Sequence, residues 1–64
     1  MKINDAVLIN GSPCPRRVLS VCEKYVIFQN TYGNPEAVKR ENVSDVVGHF
    51  KFSIFGWRFI GREV

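Results

Sequence analysis

Residue types able to do covalent or acid–base chemistry are few in this chain of 64 residues: Cys14, Cys22, His49 and six carboxylates. His49 lies between Gly48 and Phe50, with no nucleophile or carboxylate spaced to mark a relay, an arrangement that is in any case defined by geometry. It reads as a capping or surface residue. Cys14 is held between Pro13 and Pro15 on a loop, and Arg16 is the neighbouring cation that could favour its thiolate, which alone does not make a reactive thiol. Cys14, Cys22 and His49 lack C-x-x-C or H-x-x-x-H spacing, whereas a structural zinc takes four ligands. There is no glycine-rich phosphate loop, and a domain this small lacks the concave depth that small-molecule sites use. The expectation is a non-enzymatic protein without metal or cofactor.

Binding chemistry is better represented. In the stretch SIFGWRFIG, residues 53–61, Phe55, Trp57 and Phe59 alternate around Arg58, and with Phe50 and Phe52 five of the eight aromatic residues fall within ten positions. Trp57, Arg58 and Tyr32 belong to the residue types enriched at interface hot spots. Arg16, Arg17, Arg58 and Arg62 could instead track phosphates while Tyr32 or Trp57 stacks on an unpaired base. Two readings of the aromatic tail stand open. In one, Phe50, Phe52, Ile54 and Phe59 point inward and Trp57 plugs the end of the core; in the other, Trp57 and Arg58 face outward to a partner or a second copy.

What must position these residues is one small domain, residues 1–64. A chain of this length buries only about 60% of the surface it exposes when unfolded, so it needs a well-closed core, a staple or self-association. The opening MKINDAV has no apolar run of signal-peptide length, and no segment approaches the roughly 18 apolar residues of a membrane span. A cytoplasmic address is expected, where Cys14 and Cys22 stay reduced. Nine basic and six acidic residues give +3, distributed as +2 over residues 1–22, −1 over 23–48 and +2 over 49–64. If the two basic ends meet, they form a modest positive face.

The pattern predicts strands separated by turns. DAVLI, residues 5–9, is a first strand, stopped by NGSPCP. RRVLSVC, 16–22, and YVIFQN, 25–30, form a hairpin around EK. TYGNP, 31–35, is a tight turn into EAVKR, 36–40. Val43, Val46 and Val47, spaced three and four apart, suit one 3₁₀ or α turn with Gly48 as its stop. FKFSI, 50–54, is the closing strand, and the aromatic alternation slips phase beyond it, implying a bulge or bend near Ile54 to Gly56.

Laid end to end, the run from DAVLINGSPCPRRVLSV through YVIFQNTYGNPEAVKRENVSDVV resembles the small SH3-like barrels, over roughly residues 5–54. It is similar in layout to KOW-type modules and to small accessory barrels of phages and prophages. The resemblance implies an antiparallel barrel of about five strands with one short 3₁₀ turn. It implies a cytoplasmic protein-interaction module, of phage or prophage provenance, whose partner is a host bacterial protein. A KOW-like role would make RNA or single-stranded DNA the ligand, and a self-associating barrel would make the partner a homo-oligomer. Asn10-Gly11 and Arg16-Arg17 fit the KOW pattern loosely, while SPCP and the aromatic tail depart from it.

Overall fold

The computed structural model describes residues 1–62. Six strands, β1 (Asp5–Ile9), β2 (Arg16–Val21), β3 (Tyr25–Gln29), β4 (Pro35–Lys39), β5 (Val43–Ser53) and β6 (Gly56–Gly61), form one antiparallel sheet, with a 3₁₀ turn at Arg40–Asn42 between β4 and β5. The strand order is β4-β3-β2-β1-β5-β6. The mostly β, antiparallel character and the single 3₁₀ turn match expectation. Closure into a barrel does not: β4 and β6 are both edges, because the chain beyond β5 folds back on the outer side of β5. A sheet of this order is compatible with a small barrel-like fold, curled by bulges rather than closed by hydrogen bonds.

Each early strand follows from its sequence. Val7, Val18 and Val26, one from each of β1, β2 and β3, are fully buried and make the core, joined by Ala6 and Phe28. Val21, Val38, Val43 and Val46 pack around it. β-branched side chains suit this position because the pleated backbone already restricts their rotamers. The turn before β4 is built by Asn30, whose Oδ1 accepts hydrogen bonds from the backbone N–H groups of Tyr32 at 3.0 Å and Asn34 at 2.9 Å. Replacing Asn30 with alanine is expected to cost about 1 kcal/mol, the scale of one net hydrogen bond left unmade. An unchanged denaturant midpoint in that variant would show that Gly33 and Pro35 set the turn without it.

The segment 43–48 corrects the expected helical turn. Val43, Val46 and Val47 lie in β5, and the 3₁₀ turn falls earlier, at Arg40–Asn42. Along the β1–β5 ladder Ile9 faces Val43, Leu8 faces Asp45, Val7 faces Val46 and Ala6 faces Gly48, with register shifts at two places. Ser44 and Val47 are therefore extra residues bulged out of β5. Two bulges bring valines three apart to the same core, a spacing that in a regular strand would place them on opposite faces.

The end of the chain brings a second correction. The bulge or bend expected near Ile54 to Gly56 is a hairpin turn. Ser53 pairs with Gly56, and the Ser53 hydroxyl donates to the Gly56 carbonyl and accepts from the Phe55 N–H. Gly56, at φ 101°, takes the left-handed conformation at the exit of the turn. Nor does the tail close the core: Ile54 and Phe55 are more than 90% exposed, Phe52 is 66% exposed, and Trp57 and Phe59 are both 44% exposed. The reason is topological. β6 makes its substantial contacts with β5 alone, and no other strand is laid over the ribbon the two form.

Candidate functional site

In the β5–β6 ribbon the register pairs Phe50 with Phe59, Lys51 with Arg58 and Phe52 with Trp57. Cross-strand partners share a face and successive residues alternate. One face of the ribbon therefore carries Phe50, Phe52, Trp57 and Phe59, and the other carries His49, Lys51, Arg58 and Ile60. On the aromatic face the Phe52 and Trp57 rings meet edge-on with centroids 5.3 Å apart, and Phe50 and Phe59 tilt together at 5.6 Å. These are the separations at which aromatic pairs attract beyond their buried area. Ile54 and Phe55 crown the ribbon at its turn.

Arg17 fastens this ribbon to the body. Its guanidinium carbon lies 3.9 Å from the centre of the Trp57 ring, while Nη1 donates to Asn4 Oδ1 at 3.2 Å and Nη2 to Gln29 Oε1 at 3.3 Å. Its buried Nε has no hydrogen-bond acceptor among the described residues, and stacking on the indole is the compensation on offer. Asn4, at φ 72°, reaches this place because its N–H donates to the Val18 carbonyl and its own carbonyl accepts from the Phe50 N–H.

The structure distributes the residues singled out from the sequence unevenly. Arg16, Arg17 and Trp57 line one shallow groove with Pro15, Gln29 and Phe50. Arg16 also borders an adjoining groove with Phe28, Thr31, Tyr32 and Glu36, where Tyr32 is 88% exposed. Arg58 is on the opposite face of β6 from Trp57, and Arg62 lies at the end of that strand, 3.8 Å from Asp45 in an exposed ion pair of little energetic weight. Missed from sequence were Phe52, Phe55, Phe59 and Ile54 as exposed surface, and Asn4 and Gln29 as holders of Arg17. The ribbon had a sequence signal: mirror-image alternation on either side of Ile54-Phe55, ending in Gly56.

As for other chemistry, Cys14 and Cys22 are free thiols and both are exposed. His49 is exposed and faces Asp5 across the β1–β5 ladder. The Asp5 carboxylate accepts from the Lys2 N–H at 2.9 Å, closing the turn ahead of β1. Among the described residues no group of three or more His, Cys, Asp or Glu side chains could hold a metal ion, and no helix is long and apolar enough to cross a membrane. Surface depressions run from about 240 to 430 Å³ and open to solvent. What the chain presents most conspicuously is an aromatic face rather than an enclosed cavity. Comparison of the chain with protein-family models, curated proteins and solved structures finds no match.

Proposed function

We propose that this chain is a non-enzymatic protein-interaction module of SH3-like layout, docking through the aromatic face of its β5–β6 ribbon. The layout is supported by the element order: a strand, a loop, a three-strand meander, a 3₁₀ turn, and a long strand returning to pair with β1. The observation that carries the function is the exposure of Phe52, Ile54, Phe55, Trp57 and Phe59 on one hairpin. Contiguous apolar surface on that scale marks an interaction site rather than ordinary surface scatter. Aromatic anchors rimmed by arginine match the make-up of interface hot spots.

Nucleic acid fits this ribbon less well. A single-strand binder stacks bases on aromatics while neighbouring cations hold the phosphates. Here Lys51 and Arg58 point away from the aromatic face, Arg17 is already engaged by Asn4, Gln29 and Trp57, and Arg16 is the one further cation in the groove beside Trp57.

The test is capture by the tagged chain, with and without nuclease, compared with a folded Phe52→Ser/Phe55→Ser double variant. Stoichiometric protein, the chain itself included, that survives nuclease and is lost with the double variant is the expected result. Recovery of nucleic acid alone, with binding that falls steeply as salt rises, would transfer the assignment to the KOW-like reading. Equal capture by both forms would remove the ribbon from the site.

A further inference from the structure

We propose that the occupant of the aromatic face is a second copy of this chain, the two ribbons stacking face to face about a two-fold axis. The proposal rests on the docking role assigned to that face and names its partner.

Area is the first support. Taking roughly 200 Å² for a fully exposed large side chain, the exposed parts of Phe52, Trp57 and Phe59 on the face amount to about 300 Å² per chain, and Ile54 and Phe55 at the adjoining turn bring the apolar surface to about 700 Å². That exceeds the roughly 300–600 Å² of the largest patch on a typical monomer. It approaches the about 800 Å² that each partner gives to a standard interface.

Charge is the second. The four cross-strand aromatics bring no ionisable group to the seam, so the same surface on two chains meets without like-charge repulsion, as an isologous contact requires. Lys51 and Arg58 lie on the far face of each ribbon. With sheets packed about 10 Å apart, the basic residues of the two chains would point away from each other, at separations where salt screens them. Arg17, the cation at the inner edge of the face, is held by Asn4, Gln29 and the Trp57 ring. Arg16 stands beside it, in the groove that Phe50 and Trp57 also line.

The third support is the ribbon's own instability. An isolated two-stranded hairpin is marginal in water, and β6 has no other strand to lean on. Stacking two ribbons converts both into a two-layer sandwich with the aromatic rings as its core.

Sedimentation equilibrium at physiological salt is the deciding experiment, run over about 1–500 μM, a range chosen because contacts of this size reach micromolar or tighter affinity. The expected result is a reversible species of twice the 7.3 kDa chain mass. Phe52→Glu should weaken association at least about tenfold by burying an unpaired charge in the seam, and Lys51→Glu on the far face should leave the dimer intact. Circular dichroism checks that each variant is folded. Dilution of the wild type supplies a readout free of any substitution: emission from Trp57, the single tryptophan, should shift to the red as the dimer dissociates.

A wild type that stays monomeric overturns the proposal, as does a dimer indifferent to Phe52→Glu or an open-ended assembly growing from the β4 and β6 edges. In the monomeric case an apolar fluorescent dye separates the two readings. Dye bound by the wild type and lost with Phe52→Glu leaves the face as a docking surface for a different protein, and dye bound by neither removes the docking role as well.

Discussion

Gly48→Ala is expected to be the most damaging single-methyl change in the chain, lowering stability by about 3 kcal/mol, at or above the upper end for overpacking. Gly48 pairs with Gly61 across the β5–β6 ladder. A Cβ at position 48 would fall inside the van der Waals envelope of the Ile60 carbonyl oxygen and within 3.0 Å of Gly61 Cα and the Ile60 carbonyl carbon. All three are backbone atoms, so no rotamer change relieves the clash, and the strands must separate where the ribbon joins the body. In a domain of this size 1 kcal/mol moves the melting temperature by about 4–8 °C, which puts the expected fall near 15 °C. Gly61→Ala is the internal control. Its Cβ would meet only the Phe59 ring, at 4.0 Å, an ordinary contact, so that variant should melt within a few degrees of the wild type. Calorimetry of both variants, with hydrogen exchange at the β6 amides, checks the pair. Equal melting temperatures would mean that β6 does not lie against β5 in this register.

Arg17→Ala should produce the next largest loss, on the order of 2 kcal/mol, and should act on the ribbon's attachment rather than on the valine core. The substitution removes two charge-assisted hydrogen bonds, to Asn4 and Gln29, and the cation over Trp57. At 3.2 and 3.3 Å, and only partly buried, the hydrogen bonds count at the low end of their range. Cation–π attraction adds about 0.5–2 kcal/mol depending on how far it is desolvated. Lysine should recover less than half of the loss, because an ammonium cannot engage both carbonyl oxygens and lie flat on the indole. The measurement is thermal melting together with Trp57 emission, at one fixed protein concentration because any self-association makes melting concentration-dependent. An Arg17→Ala variant that melts and emits like the wild type would show that the ribbon holds its place without the arginine.

The first four strands were legible because their signals are local. Asn10-Gly11 and the prolines after it end β1, Asn30 to Pro35 turn β3 into β4, and β-branched runs lie between. β1 falls on the expected residues, and the bounds of β2, β3 and β4 differ by a single position. The misreading of residues 43–48 has a physical cause. A strand with two bulges carries its core residues at spacings of three, and nothing within the segment separates that from a helical turn; the distinction lies in its pairing with β1.

Of the candidate site, Trp57, Arg17 and Arg16 converge, Tyr32 borders the adjoining groove, and Arg58 and Arg62 stand apart. Composition marked the aromatic tail as exceptional but left its direction open, since large apolar side chains are placed inward by default and leave the core only when no element covers them. Period and turn chemistry, which act between residues near in the chain, were enough to determine a small antiparallel β protein. The tertiary structure decided that no strand is laid over the β5–β6 ribbon, so that its aromatics form a surface. It also decided that Arg17, forty positions from Trp57, is the residue that holds the surface in place. Both depend on contacts between residues distant in the chain, which no local pattern encodes.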